Sequence, residues 1–238
     1  MKFARGFLTS STENALNEVL RSQVSVISTL SQLNHQVAGA FVASIMAVVS
    51  NIFIDRIEGD EGEMTRWYSS NSDALCELQA IAKRIDLGIE EIGIDNTTSE
   101  PRLLFQHTGL DQIIALHRES HGTRQFIKIF PYIFMVLNRG GIAIIDELDT
   151  AIHPLILPEI LRWFGDETRN PHGAQLWTTC HSASLLSELT KEEVLFCEKD
   201  SRGYTSIYKL ADVDRVRRNE NFFGKYVGGE YGAVPVLG

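Results

Sequence analysis

The chain has 238 residues, 44% of them apolar, and a formal net charge of −9. This length and apolar content suffice for a sizeable hydrophobic core and exclude a disordered chain. The negative charge argues against a protein whose whole surface binds nucleic acid, and it leaves room only for a local basic patch.

Cysteine usage and the amino terminus bear on the cell compartment. Cys76, Cys180 and Cys197 are odd in number and irregular in spacing, which supports neither a disulfide framework nor a CxxC metal site. The amino terminus lacks the basic, apolar and small-residue order of a secretory signal. We therefore expect a protein of the reducing cytoplasm.

The first third of the chain has helical spacing. From Thr12 to about Ile57, apolar residues recur at steps of three and four and form one face: Leu16, Val19, Leu20, Val24, Ile27 and Leu30. Two helices with a break near Asn34 fit this pattern, residues 57–63 are predicted as an acidic loop, and residues 71–85 as another helix. Residues 1–85 are thus predicted to form a helical subdomain.

Residues 37–54 are uncharged for eighteen residues, the lower length limit of a membrane-spanning helix. Ser44, Ser50 and Asn51 interrupt this stretch, and neither a Lys/Arg cluster nor an aromatic belt flanks it. The stretch therefore favours a buried helix of a soluble protein, and no membrane partner is expected.

Strand and helix patterns alternate in residues 86–238. They predict strands at 89–94, 103–105, 142–146 and 176–178, and helices at 123–138, 154–163 and from Ser182 onwards. A hairpin is predicted from residues 194–198 and 205–210. Alternation of this kind is typical of an α/β lobe in which helices cover a parallel sheet.

The segment GGIAIIDELDTAIHP, residues 140–154, carries two adjacent acids directly after an apolar strand. A strand without polar residues is expected to be buried on both faces, so Asp146 and Glu147 should emerge at the carboxyl edge of the sheet, where open α/β sheets bind ligands. There Asp146 is suited to hold a hydrated Mg²⁺ and Glu147 to polarise an attacking water. The alternative is a capping or solvated role.

Two further motifs flank these acids. His181 in TTCHS follows the next predicted strand, 35 residues after Asp146, and is placed to bond a phosphate oxygen or the attacking water. Ser120 and Gly122 in ESHGT precede a helix whose free N–H groups and dipole favour an anion. A structural histidine and an ordinary helix cap are the alternatives.

Taken in order, ESHGT, IAIIDELD, His153-Pro154 and TTCHS resemble the motifs of ABC-class P-loop ATPases. The resemblance is to the heads of AAA-type ATP-binding proteins related to overcoming-lysogenization-defect proteins, many of them bacterial anti-phage or abortive-infection components. The tail, a hairpin and a Tyr-x-x-Gly-x-Tyr-Gly-Ala-x-Pro ending, is similar too, so the resemblance covers residues 103–238. It implies the C-terminal lobe of an ABC-type P-loop NTPase at residues 86–238, preceded by a helical insertion at residues 1–85.

The resemblance implies roles for the residues of the two strand ends. Asp146 is then the Walker B acid that holds the Mg²⁺ of bound ATP. Glu147 is the catalytic glutamate, and His181 is the switch histidine.

The same resemblance implies a second head. Asp149 would begin the D-loop across a dimer interface, and Ser120 and Gly122 would belong to the signature loop, which contacts the γ-phosphate of ATP bound to the opposite subunit. The implied active site is therefore shared between two heads, with ATP and Mg²⁺ as cofactors.

One expected motif is missing from the sequence. No G-x-x-x-x-G-K-[ST] phosphate loop occurs, since the only Gly-Lys pair, Gly224-Lys225, is followed by Tyr226. Related proteins carry this loop before the helical insertion, so three explanations are open: a fragment, a split gene whose second polypeptide supplies the loop, or a degenerate head. The intact acids, serine and histidine argue against degeneration.

The motifs together favour an ATPase head that dimerises around ATP and Mg²⁺ and switches an effector protein, such as a nuclease or toxin, in anti-phage defence. The alternative is a non-hydrolysing assembly module on a degenerate head. A metal-dependent nuclease of the topoisomerase-primase type is less favoured, because D-E-L-D does not have the D-x-D spacing of that fold.

Two charged clusters point only weakly to other ligands. The basic patch is interpreted as a solvated helix face rather than a nucleic-acid site: Arg215, Arg217 and Arg218. Three histidines lack an acid or cysteine at ligand spacing, so zinc is not expected there: His107, His117 and His121.

Overall fold

The structure, a computed structural model, describes residues 14, 19, 24–51, 61–84, 88–97, 100–150, 152 and 156–234. The α-helices within these ranges are α1 Val26–Gln32, α2 Gln36–Met46, α3 Glu61–Ser70, α4 Ser72–Arg84, α5 His121–Arg139, α6 Leu157–Gly165 and α7 Phe222–Val227. The strands are β1 Val48–Ser50, β2 Ile89–Asp95, β3 Arg102–His107, β4 Ile114–Ala115, β5 Ile142–Ile145, β6 Gln175–Thr178, β7 Leu195–Lys199 and β8 Thr205–Lys209. Short 3₁₀ turns occupy Leu116–Arg118, Ala183–Ser187 and Leu210–Asp212.

A parallel sheet of strand order β1–β5–β6 lies at the centre of the described fold. Ile144 of β5 pairs with Ser50 of β1 and Trp177 of β6. Helix α5 contacts β1 and β5, and its apolar face shares the main hydrophobic core with Ala143 and Ile145 of β5. The predicted α/β class, with a parallel sheet and packed helices, is confirmed.

The uncharged stretch 37–54 is not the single buried helix predicted from the sequence. Helix α2 ends at Met46, and Val48–Ser50 form a strand paired with β5. The physical reason is that β-branched valines suit a pleated surface, and the pairing with β5 outweighs further helix. Val37 and Phe41 of α2 are also 59% and 52% exposed. In the part of the chain that the structure describes, no helix is long and apolar enough to cross a membrane.

The sequence predicted the helices before and after β1 only in part. The predicted break near Asn34 is confirmed, since this residue lies between α1 and α2 with a left-handed φ of +58°. Residues 61–63, predicted as loop, instead begin α3, where the positive end of the helix dipole favours the carboxylates of Glu61 and Glu63.

Two antiparallel units accompany the parallel sheet. Strands β2, β3 and β4 form one, and the predicted hairpin of β7 and β8 is the other. The α-helix predicted from Ser182 is wrong, because only the 3₁₀ turn Ala183–Ser187 forms there. The hydroxyls of Ser182 and Ser184 lie 2.8 Å apart, and such local side-chain bonds compete with helix.

Gly141 is required where the strands of the parallel sheet begin. Its φ is +117°, and a Cβ there would lie 2.2 Å from the carbonyl oxygen of Ala47. The N–H of Ile142 donates to that same oxygen at 3.0 Å, and the Gly141 carbonyl accepts from the N–H of Gln175 at 2.8 Å. The glycine thus lets all three strands start in one register.

The apolar sequence of β5 predicted burial of both faces of the strand. The structure buries only one of them. Ala143 and Ile145 are buried, whereas Ile142 and Ile144 on the other face are half-buried. On this second face β6 presents Trp177, which is 54% exposed. The reason is that the main core packs on the Ala143 face, and the described residues leave the other face partly open to solvent.

Pro131, inside α5, leaves a backbone acceptor that a distant tyrosine satisfies. Proline has no N–H, so the Ile127 carbonyl lacks its helical donor four residues on. The hydroxyl of Tyr68 donates to this oxygen at 2.7 Å, and Tyr68 is fully buried. Burial also raises the pKa of Tyr68 well above its ordinary value, so the phenol keeps its proton. Helix α3 is therefore hydrogen-bonded to the middle of α5.

Tyr68→Phe should lower the free energy of unfolding by about 1–3 kcal/mol, because it leaves the buried Ile127 carbonyl unpaired. In a Pro131→Ala background the loss should be smaller, since the substitution restores the helical N–H donor. Urea unfolding followed by circular dichroism measures both losses. Tyr204→Phe, at a tyrosine that is 72% exposed, is the matched control. Equal losses in the two backgrounds would contradict this account of the proline.

Candidate functional site

Asp146 and Glu147 follow β5 at its carboxyl end and open a turn. Both residues are exposed, whereas the next residue, Leu148, is fully buried and fixes the turn to the core. Glu147 has a left-handed φ of +51°, which is uncommon for a residue with a side chain. The acid pair therefore lies in contact with solvent at the carboxyl edge of the parallel sheet.

The hydroxyl of Thr179, the first residue after β6, joins the two acids. It donates to Oδ1 of Asp146 at 2.5 Å and accepts the backbone N–H of Glu147 at 2.8 Å. The Thr179 carbonyl also accepts the N–H of Leu148 at 3.1 Å. Among the described residues nothing donates to Oδ2, the second oxygen of the Asp146 carboxylate.

Asn51 holds the same acid from the other side. Its Oδ1 accepts the N–H of Asp146 at 2.7 Å, and its Nδ2 donates to the Asp146 carbonyl at 3.0 Å. Asn51 follows β1 as Thr179 follows β6, so both neighbours of β5 position one peptide unit.

Sequence reasoning gave no role to Asn51 or Thr179. The one signal for Thr179 was its place in the TTCHS motif, directly after the predicted strand 176–178, and the register of Ile145 with Thr178 sets it beside Asp146. Asn51 offered no such signal, because it stood in a stretch predicted to be helical.

Asp149 connects the turn after β5 to the loop after β6. Its Oδ2 accepts the backbone N–H of His181 at 2.9 Å. Its Oδ1 is buried, and no residue of the described chain donates to it. Because a buried oxygen without a partner is costly, a donor or cation that reached it would be stabilised there.

Cys180 lies between Thr179 and His181 but is not a candidate nucleophile. The residue is exposed, yet desolvation of the thiol and the nearby Asp149 carboxylate raise its pKa. The thiolate is the reactive form of cysteine, and both causes disfavour it.

Ser120 lies apart from this group, at the start of α5. Its Oγ accepts the N–H of Thr123 at 3.1 Å, the hydrogen bond of an ordinary helix cap. Ser120 is exposed and Gly122 is half-buried. No hydrogen bond of the described residues joins either of them to the strand ends.

The structure thus places four of the six residues singled out in the sequence around two strand ends: Asp146, Glu147, Asp149 and His181. His153 and Pro154, quoted with them, lie outside the described residues. The catalytic roles of the four residues at the strand ends stay predictions.

The oxygen donors at the strand ends suit one kind of metal site. Within the described ranges no three His, Cys, Asp or Glu side chains converge as metal ligands. Mg²⁺ does not need such a cage, because it is commonly held by one carboxylate together with waters and substrate phosphates. Asp146, oriented by Thr179, fits that role.

Solved structures with a similar fold are heads of SMC ATPases. One, described under structural biochemistry of ATP-driven dimerization and DNA stimulated activation of SMC ATPases, is 8% identical with a TM-score of 0.46, over 61% of this chain and 88% of that chain. The SmcHead bound to the C-winged helix domain of ScpA is 7% identical with a TM-score of 0.48, over 78% of this chain and 61% of that chain.

A third is the Smc head domain with an extended coiled coil bound to the C-terminal domain of ScpA derived from Pyrococcus furiosus. It is 11% identical with a TM-score of 0.41, over 84% of this chain and 48% of that chain.

A family match covers residues 30–187, which contain the whole parallel sheet and the residues at both strand ends. No curated protein sequence matches the chain. The family match spans more than half of the 238 residues. The chain therefore belongs to the family described as "AAA domain, putative AbiEii toxin, Type IV TA system".

Proposed function

We propose that the chain is the carboxyl part of an ATPase head that dimerises around ATP and Mg²⁺ and uses hydrolysis to switch an effector. The observation that carries this proposal is the position of Asp146 and Glu147 at the carboxyl edge of the sheet. Asn51 and Thr179, which follow the two flanking strands, hold them there by hydrogen bonds. A fixed acid pair at this edge suits a nucleotide with its metal.

Each residue of the site would have its own role in hydrolysis. Bound Mg²⁺ would neutralise charge on the phosphates. Asp146 would hold the metal ion directly or through a water, with its carboxylate oriented by Thr179. Glu147 would position the attacking water and accept its proton, and His181 would donate to a phosphate oxygen.

The lengths of α5 and β5 support a site shared by two heads. Helix α5 has 19 residues, about 28 Å, and β5 has four, about 13 Å. The chain reverses between them through two glycines, and α5 packs on β5. A helix of this length that lies antiparallel to β5 would reach about 15 Å beyond the carboxyl end of the strand. Ser120 is thus suited to ATP bound by a second head, with Gly122 beside it and Asp149 near the interface.

The phosphate loop would come from another segment or polypeptide, since residues 1–238 contain no G-x-x-x-x-G-K-[ST] motif. Such a loop follows a strand and opens a helix, so it needs a strand at the same sheet edge. Among the described strands β6 pairs with β5 alone, and its outer side can accept a further parallel strand.

The setting we propose is anti-phage defence in the cytoplasm, with a nuclease or toxin as the effector. The family description, which names an AbiEii toxin and a type IV toxin–antitoxin system, supports this choice. The missing phosphate loop favours one alternative, a non-hydrolysing assembly module, which predicts no binding of ATP and Mg²⁺ by the complete complex.

Glu147→Gln should slow ATP hydrolysis by about 10²–10⁴-fold, because an amide cannot accept the proton of the attacking water. The test uses the native assembly, isolated through an affinity tag on this chain, with phosphate release as the readout. Binding of a fluorescent ATP analogue should persist in the variant. Glu167→Gln, at an exposed acid outside the site, is the control. Undiminished hydrolysis would refute the role of Glu147, and a wild-type assembly that binds no ATP with Mg²⁺ would favour the assembly module.

Thr179→Val should raise the Mg²⁺ concentration that half-saturates hydrolysis by about 10–100-fold, because it removes the hydroxyl that orients Asp146. Thr179→Ser keeps the hydroxyl and should stay close to the wild type. Hydrolysis rates across a Mg²⁺ titration of the same assembly measure both variants. If the valine and serine variants respond alike, the hydroxyl does not position the metal ligand.

A further inference from the structure

A hydrogen bond between two largely buried side chains connects the residues before α5 to the end of β3. Nε2 of His107 lies 2.6 Å from Oε1 of Glu119, and their side chains are 17% and 4% exposed. An ionised carboxylate only accepts hydrogen bonds, so the ring nitrogen is the donor. Glu119 directly precedes Ser120, whose hydroxyl caps α5.

The burial of Glu119 makes this partner necessary. A carboxylate removed from water is strongly disfavoured unless it is paired and hydrogen-bonded. In the described chain, the hydrogen bond from His107 is the one that reaches this carboxylate. Removing the imidazole would therefore drive Glu119 towards water and displace the backbone that carries Ser120.

A second contact fixes the same turn. Leu116 is 2% exposed and belongs to the main core, and its carbonyl accepts the N–H of Glu119 at 2.9 Å. His117 and Arg118, between these two residues, are exposed. The three residues ahead of Glu119 are thus held by an apolar contact at one end and by the His107–Glu119 hydrogen bond at the other.

The held turn continues directly into α5. The Ser120 hydroxyl accepts the N–H of Thr123 at 3.1 Å, and the Ser120 carbonyl accepts the N–H of Arg124 at 3.0 Å. A shift of Glu119 would therefore move or break both hydrogen bonds of the first helical turn. Ser120 itself is exposed, so its position depends on what lies beneath it.

We infer that His107 is a positioning residue, which acts through Glu119 to set where Ser120 and the first turn of α5 are presented. The role of that turn, contact with ATP bound by a second head, rests on the proposed function. The fixing of the turn by His107 does not rest on it.

Amide hydrogen exchange tests the fixing of the turn. In the native assembly, His107→Leu should speed exchange at Thr123 and Arg124 by about tenfold, relative to the middle of α5. His107→Gln keeps an N–H donor and should recover much of the protection. His172→Ala, at an exposed histidine before β6, is the control. Unchanged exchange at both amides in His107→Leu would overturn the inference.

Nucleotide-driven dimerisation tests the consequence for function. With Mg²⁺ and a non-hydrolysable ATP analogue, His107→Leu should raise the nucleotide concentration for half-maximal dimerisation by about tenfold, measured by sedimentation velocity. Binding of a fluorescent ATP analogue to undimerised heads should stay at the wild-type level, because that contact uses the strand ends. Dimerisation at the wild-type concentration, or an equal loss of both properties, would overturn a positioning role.

A double-mutant cycle separates the His107–Glu119 hydrogen bond from other effects. If His107 acts by pairing the buried carboxylate of Glu119, then Glu119→Gln should offset part of the loss, and the double variant should dimerise better than His107→Leu alone. Additive losses would contradict that route. If wild-type heads do not dimerise with nucleotide, the proposed function fails, and the exchange measurement alone decides whether His107 fixes the turn.

Discussion

The end of β5 is held by hydrogen bonds from both of its neighbours, and the candidate site depends on that constraint. At the amino end of the sheet, Gly141 allows the strands to start in one register. At the carboxyl end, Asn51 and Thr179 meet the same acid. The strands are only three or four residues long, so the register set by the glycine carries through to the acids. A slip of one residue would turn the neighbouring side chains to the opposite face.

Helix α5 connects this edge to the rest of the molecule. It begins at His121, directly after its capping residue Ser120, and ends at Arg139, before the two glycines that lead into β5. The sheet fixes its far end, while the hydrogen bond between His107 and Glu119 fixes the residues ahead of its start. Different parts of the fold therefore set the two ends of α5. The helix relates the strand ends to the turn at Ser120, although no hydrogen bond of the described residues joins the two.

Local signals in the sequence predicted much of this fold. The apolar run before Asp146 predicted β5, and Ser120 before an apolar helical pattern predicted the start of α5. Strand β1 could not be predicted in this way, because three residues form a strand only through pairing with β5. Asn51 was missed for the same reason. The sequence raised His107 only as a possible zinc ligand. Its partner Glu119 lies twelve residues away, and only the folded chain brings the two side chains together.

The proline within α5 has a mechanical consequence. In the interior of most helices the backbone oxygens accept hydrogen bonds from within the helix, so a neighbouring helix packs there against side chains. In α5 the Ile127 carbonyl instead accepts a hydrogen bond from the Tyr68 hydroxyl, about two turns along the helix from Ser120. A displacement of α3 is therefore transmitted to the backbone of α5 and not only to its side chains.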